Sequence, residues 1–341
     1  MDASPTPYLE EAIEPELPIL DAHHHVWDDL SNPLATHYPL ESLLGDLQAG
    51  HNIVASVYAE CSDHYRGSGP EELRPVGETE AVAAAAAPPG VMAAIIGYAD
   101  MTLGRAVEPV LEAHREAGRG RFSGIRHSTA WDPHQDVPNS ARKSPPGLLV
   151  SPAFVDGVRT LGDLDITFDA WMYFHQLPEL VTLAQRAPGT QIIVDHLGGP
   201  AGVGHWATHR DDMLEAWREN IAALSLMPNV AIKIGGLGFP WFLTDEVSAD
   251  LVDSDAIAAY WRPEIQHCIE SFGPDRCMFE SDFPVDGRLC DYVTLWNSFK
   301  KASSDLDPRE RDAVFRGSAA RIYRIDTETG SALARDDLSF G

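Results

Sequence analysis

The sequence predicts an α/β fold, one closed (β/α)8 TIM barrel with extended loops after its fourth and seventh strands. Three observations predict it. Eight short apolar runs recur along the chain, helical stretches fill the gaps between them, and the 341 residues suit one barrel with insertions, since such a barrel uses ~250 residues before insertions. Alternating strand and helix signals imply βαβ units and hence a parallel sheet.

In order, the runs are PILDAH near 18–23, NIVASVYAE near 52–60, VMAAIIGYAD near 91–100 and FSGIRH near 122–127. LDITFDAW near 164–171, QIIVDH near 191–196, NVAIKIGG near 229–236 and RCMFESD near 276–282 complete the set. Most are continuously apolar, as parallel strands covered on both faces are. Between them lie helical stretches. GETEAVAAAAA stops at Pro88-Pro89-Gly90, AVEPVLEAHREAG follows the third run, and LPELVTLAQRA ends at Pro188-Gly189. DDMLEAWRENIAALSLM puts Met213, Leu214, Trp217, Ile221 and Leu224 on one face before Pro228, and IAAYWRPEIQHCIESFG and DYVTLWNSFKKAS behave similarly. Gly or Pro just past an apolar face is the expected helix stop.

A doubly wound sheet would carry a Gly-rich phosphate turn after its first strand, and HHHVWDD stands there instead. IKIGGLG and HLGGPAGVG lack the G-x-G-x-x-G order, so no nucleotide site is expected. Residues 128–163, rich in Pro, Gly and Ser, and residues 237–256, with Phe239, Pro240, Trp241 and Phe242, are too long for simple connections. Both follow strand C-termini, where barrel active sites sit, and read as lids or substrate walls. Residues 1–17 read as a flexible acidic lead-in with no signal-peptide pattern, 18–325 as one domain and 326–341 as a tail.

Net charge is −27, from 52 acidic and 25 basic residues. That weighs against nucleic acid and anionic membranes, which are recognised through positive charge. No run approaches the ~20 apolar residues of a membrane span. Cys61, Cys268, Cys277 and Cys290 show no Cys-x-x-Cys spacing. Neither a disulfide framework nor a cysteine zinc site is expected, and a reducing cytoplasm is the default compartment. The expected partner is a small-molecule substrate, with room left for a homo-oligomer.

The chemistry gathers at strand ends. His23 and His25, two apart, can face the mouth together while His24 points out. Two imidazoles on one face suit a divalent metal; histidines bonded within the core are the alternative. Asp195-His196 ends the sixth run, with His196 placed at the mouth and Asp195 as an orienting neighbour. Asp282 ends the eighth run before Phe283-Pro284, where a carboxylate can touch a metal and take a proton from water. Glu280 lies a layer deeper and needs a partner, for which Lys233 is a candidate. Arg126 ends the fourth run and can fork onto a carboxylate or polarise a carbonyl; a salt bridge is the plainer reading, and His127 is its rival. His175 is a candidate ligand, substrate contact or helix cap, and Glu60 is a minor candidate. Trp171 and Tyr173 stand as substrate contacts within an aromatic set that also holds Trp131, Phe239, Trp241 and Phe242.

LDAHHHVWD, GIRHS, VDHLGGP, NVAIKIGGL and RCMFESDFPVD resemble the amidohydrolase superfamily, in its "amidohydrolase 2" branch, from about residue 18 to 324. That branch includes sugar-acid lactonases and 2-pyrone-4,6-dicarboxylate lactonase. The resemblance implies metal ligation by His23, His25, His196 and Asp282, water activation by Asp282, and substrate handling by Arg126. It implies one divalent ion, zinc or manganese, although some lactonases of the branch act without a metal. Where many members carry a bridging carboxylated Lys, this chain has Arg126-His127, which argues against a binuclear centre.

Three functions are consistent with this set. A lactonase opening a small polar or carboxylated cyclic ester stands first. A metal-dependent decarboxylase of an aromatic or unsaturated acid is the alternative. A barrel that binds a ligand without catalysis is the weakest, because binding alone does not require His, His, His and Asp matched at one rim.

Overall fold

The computed structural model describes residues 10–27 and 37–328, together with the backbone of 331–332. Eight strands, β1 (Pro18–His24), β2 (Asn52–Ala59), β3 (Ala94–Gly97), β4 (Phe122–Arg126), β5 (Thr167–Ala170), β6 (Ile192–Val194), β7 (Val230–Ile234) and β8 (Cys277–Phe279), pair in parallel in sequence order. Seven of them lie inside the predicted runs, and β1 extends one residue past its own, to His24. The last and first strands meet at their C-terminal ends, where Asp282 N donates to His23 O (2.9 Å) and His25 N to Phe283 O (2.7 Å). The result is a (β/α)8 barrel.

The helices are α1 (Leu40–Leu47), α2 (Val76–Ala84), α3 (Glu108–Ala117), α4 (Pro152–Asp163), α5 (Leu177–Arg186) and α6 (Arg210–Ser225). They continue as α7 (Asp245–Asp250), α8 (Ser254–Phe272), α9 (Tyr292–Ala302), α10 (Pro308–Asp312) and α11 (Ser318–Tyr323). Met213, Trp217, Ile221 and Leu224 of α6 are buried and Leu214 is half-buried, as the 3.6-residue period requires. Two corrections concern the long segments. The stretch expected as a lid over 128–163 is loop only as far as Ser151, because Pro152 at the first helical turn starts α4. The 237–256 segment contains α7, whose N-cap Thr244 accepts from Val247 N.

Two apolar clusters divide the interior. Leu20, Ala55, Val57, Ile96, Ile193, Ala231 and Met278 fill the barrel, floored by Ile322 and Tyr323 of α11. The larger cluster fills the space between strands and helices. Residues 10–17, expected as part of a flexible lead-in, are fastened instead. Ser254 and Asn297 bond the Glu10 carboxylate, and Lys300 Nζ donates to the carbonyls of Ile13 and Glu14. The rest of the lead-in, residues 1–9, and nearly all of the 326–341 tail lie outside the described residues. None of the four cysteines is joined in a disulfide among the described residues. No helix among the described residues is long and apolar enough to cross a membrane.

Candidate active site

Strand register carries the first histidines inward. Leu20 and Ala22 both pack inside the barrel, so strict alternation would send His24 inward and His23 out. A register shift between Asp21 and His24 reverses this. His23 Nδ1 then lies 3.1 Å from both Lys233 Nζ and Glu280 Oε2 inside the barrel. His24 Nε2 turns the other way to Ser56 Oγ (2.9 Å). Asp21 pins this end of β1 to the β8 segment, accepting from Ser281 N, Ser281 Oγ and Tyr292 OH. Burial nevertheless pushes the Asp21 carboxyl up to about 6.

His196 and Asp282 follow β6 and β8 on turns where both residues adopt a left-handed backbone, φ 52° and 51°. Such φ values are uncommon outside glycine and gather at functional sites. The glycines of IKIGGLG make room here. A Cβ on Gly236, itself at φ +67°, would stand 2.8 Å from the His196 Cβ, and one on Gly235 would stand 2.3 Å from the Glu280 Cγ.

Asp282 Oδ1 is the focus. It lies 3.4 Å from His25 Nε2, 3.7 Å from His23 Nε2 and 3.9 Å from His196 Nε2, all four side chains being buried. The other ring nitrogens are spoken for. His25 Nδ1 is 2.8 Å from Ala59 O, and His196 Nδ1 is 2.8 Å from Glu280 Oε1, which also accepts from His196 N. These contacts orient each Nε2 toward Asp282, as outer-shell bonds orient metal-ligating histidines. Burial disfavours charge on His196, yet Asp282 and then Glu280 hold its imidazolium up to about 9. His23 is pushed well down, by burial and then by Lys233 and Arg126.

These residues fit a divalent cation. His23, His25 and Asp282 offer ligand atoms within 4.8 Å of one another, as do His23, Asp195 and His196. Ligand atoms ~2.0–2.2 Å from one tetrahedral ion stand roughly 3.3 Å apart, close to the separations seen. Both carboxylate oxygens of Asp282 and of Asp195, and Oε2 of Glu280, are buried without a hydrogen-bond partner. Buried carboxylates in that state need a counter-charge, which Lys233 supplies to Asp195 at 3.3 Å and which a cation would supply to Asp282.

Several expectations change. Lys233 does not hold Glu280. Its Nζ bonds Asp169 Oδ2 at 2.6 Å and approaches Asp195 Oδ1 at 3.3 Å, whereas Glu280 lies between His196 and His23. Arg126 reaches the mouth as a salt bridge. Nε bonds Glu60 Oε1 at 3.1 Å, Nη2 bonds Glu60 O, and Nη1 lies 3.0 Å from His23 Nε2. His127 instead accepts from Met101 N. His175 is not with the cluster; its Nε2 lies 3.0 Å from Asp132 Oδ2 in the long loop after β4. Trp171 stands edge-on to His196 with ring centroids 5.3 Å apart, and Phe239 stacks on the same imidazole at 5.7 Å. Tyr173 is buried behind them, its hydroxyl bonded to Pro138 O. Sequence reasoning missed Asp169, Tyr323, whose hydroxyl donates to Asp169 Oδ2 (2.7 Å), and Arg142, which bonds Glu60. A basic residue within a loop of so acidic a chain was the available signal for Arg142.

An amidohydrolase family model matches residues 20–325, with the His23, His25, His196 and Asp282 set inside its span. The chain belongs to the amidohydrolase family. An uncharacterized protein of Sinorhizobium fredii, y4mH, is 30% identical over 91% of this chain and 99% of its own length. The L-fucono-1,5-lactonase of Burkholderia ambifaria is 26% identical over 93% of this chain and 99% of its own. Among solved structures, a zinc-bound amidohydrolase from Burkholderia multivorans superposes with a TM-score of 0.68 at 23% identity, covering 89% of this chain and 98% of the other. At that identity the last likeness is one of fold. Family membership makes the chain a hydrolase-like enzyme, which sets aside the reading of a barrel that only binds.

Proposed function

We propose that this amidohydrolase is a lactonase that opens a small polar or carboxylated cyclic ester. The observation that carries the reading is Asp282, a buried carboxylate without a hydrogen-bond partner, facing three imidazoles beside Arg126. The similarity to an L-fucono-1,5-lactonase along nearly the whole chain supports the substrate class.

His23, His25, His196 and Asp282 would hold one divalent ion, and the zinc of the Burkholderia multivorans structure supports zinc as that ion. A bound cation supplies Lewis acidity, which polarises a carbonyl and lowers the pKa of a water from 15.7 toward ~7. The side chains do the rest. Asp282 accepts a proton from the attacking water as oxygen bonds to the lactone carbonyl carbon. Arg126 places positive charge where negative charge develops on the carbonyl oxygen, and the His196 imidazolium would do so only where no ion holds its Nε2. The ring C–O bond then breaks, and the Asp282 proton passes to the leaving alkoxide, giving a hydroxy acid. Trp171 and Phe239 wall the site beside His196 and keep bulk water from it.

The test is acid release, followed by pH-stat, from a panel of 1,4- and 1,5-lactones, with carbon dioxide measured in parallel from carboxylated aromatic acids. Stoichiometric acid release from a lactone supports the reading. Carbon dioxide release without lactone hydrolysis would replace it with a decarboxylase.

A further inference from the structure

A fully buried lysine stands beneath the ligand set. Lys233 Nζ lies 2.6 Å from Asp169 Oδ2, 3.1 Å from His23 Nδ1 and 3.3 Å from Asp195 Oδ1. Lys233, Asp169, Asp195 and His23 are all buried to 0% exposure. They come from β7, β5, the end of β6 and β1, so they converge on one point inside the barrel. Tyr323 OH donates to Asp169 Oδ2 at 2.7 Å from the barrel floor. Charges buried this deeply persist only where they answer one another.

His23 stands between two anionic regions. Its Nε2 edge faces Asp282 Oδ1 at 3.7 Å, on the side of the mouth. Its Nδ1 edge faces Lys233 Nζ, Glu280 Oε2 at 3.1 Å and Asp195 Oδ1 at 3.8 Å, on the side of the floor. Among the described residues the groups able to ligate a metal likewise form two sets that share His23, one with His25 and Asp282 and one with Asp195 and His196. Carboxylates and an imidazole nitrogen around one point are a donor set for a divalent ion. On the mouth side neither Asp282 oxygen has a hydrogen-bond partner. On the floor side an ammonium already stands among the carboxylates.

We propose that Lys233 is the resident cation of the lower set, held where a second metal ion would otherwise bind, so that the barrel keeps one exchangeable ion on the Nε2 side of His23. The inference rests on the one-ion reading of the site and supplies its reason. Lys233 is a positioning residue: it braces His23 from the Nδ1 edge and fills the floor with a charge that cannot dissociate. Truncation to alanine would leave Asp169, Asp195 and His23 Nδ1 around an open point. An ion there needs ligands at ~2.0–2.2 Å, an inward movement of roughly 1 Å from their present distances. A methionine fills the same space without charge and leaves an ion no room.

Two measurements test it, neither of which needs turnover. In the first, wild type, Lys233→Ala and Lys233→Met are equilibrated with excess zinc, desalted and subjected to elemental analysis. Lys233→Ala is expected to hold one ion more than wild type, and Lys233→Met no more than wild type. In thermal melts, zinc in place of EDTA should raise the midpoint of Lys233→Ala by ~4 °C more than that of wild type, the gain expected when zinc is at roughly 100 times its dissociation constant. A lysine that is only one half of a structural ion pair would leave the ion content of Lys233→Ala equal to that of wild type, and this result overturns the proposal. The second measurement uses wild type alone and so decides the matter if Lys233→Ala does not fold. Electron paramagnetic resonance at saturating manganese should show one isolated ion per chain; two ions, or a spin-coupled pair, overturn the proposal. A wild type that takes up no ion fails the one-ion reading of the mouth, yet an ion gained by Lys233→Ala would still support the role of Lys233. No ion in either protein overturns both.

Discussion

Asp282→Asn changes one atom type and very little shape, so it isolates the carboxylate's charge. Neither oxygen of Asp282 has a hydrogen-bond partner, and His196, which loses the charge facing it at 3.9 Å, keeps Glu280 at 2.8 Å. The thermal transition should move by less than about 4 °C, the equivalent of roughly 1–2 kcal/mol in a chain of this size. Activity should respond quite differently. A positioned base contributes roughly 10²–10⁴-fold, or about 3–5 kcal/mol of barrier. Oδ1 also lies within 3.9 Å of all three imidazoles, so its loss removes the focus of the ligand set. The expected result is a fall of at least ~10²-fold in kcat/KM for lactone opening, with a near-native circular dichroism melt. Rates are followed by pH-stat after both proteins have been equilibrated with zinc, so that a shortfall in ion loading is seen separately by elemental analysis. If Asp282→Asn retains kcat/KM within about threefold of wild type, Asp282 is not the base and the mechanism is wrong.

Other consequences follow from the buried charges. Elemental analysis of the purified chain is expected to return close to one divalent ion per molecule, falling toward zero in His25→Ala, whose Nε2 faces Asp282 at 3.4 Å. Equal ion content in both would remove His25 from the ligand set. Lys233→Met should destabilise the fold by roughly 3–5 kcal/mol in chemical denaturation, because it leaves the fully buried carboxylates of Asp169 and Asp195 without their cation; a loss below about 1 kcal/mol would contradict that. Burial, followed by the charge of Glu60, pushes the Glu78 carboxyl from its usual range up to about 7. A carboxyl with a raised folded-state pKa binds more protons folded than unfolded, so its contribution to stability is present below pH ~4.5 and is lost as pH rises toward 7. Glu78→Gln is therefore expected to flatten the stability curve between pH 4.5 and 7, with a gain above pH 7 on the order of 3 kcal/mol at most. Denaturation midpoints that change identically with pH in both proteins would rule this out.

Much of this molecule is written locally. Continuous apolar runs such as QIIVDH and NVAIKIGG can be satisfied only by strands covered on both faces, and the helices between them follow from their apolar stripes and Gly or Pro stops. A polar residue that ends such a run must sit at a barrel rim, and for that reason His23, His25, His196, Asp282 and Arg126 were legible as candidates. The same logic explains where legibility stopped. Which buried charge meets which depends on stagger between strands far apart in sequence and on the paths of loops. Lys233 lies on β7 and Glu280 just past the end of the adjacent β8, yet Lys233 turns to Asp169 and Asp195 while Glu280 turns to His196 and His23. The register shift that turns His23 inward needs β2 beside it. His175 is drawn away by Asp132, and Arg142 is carried to Glu60 from 82 residues along the chain. Hydrophobic periodicity is a property of neighbouring residues, and the sequence alone was enough to determine the barrel and the residues at its rim. The partners of the charged groups are set by distances across the closed barrel, and only the tertiary structure decided them.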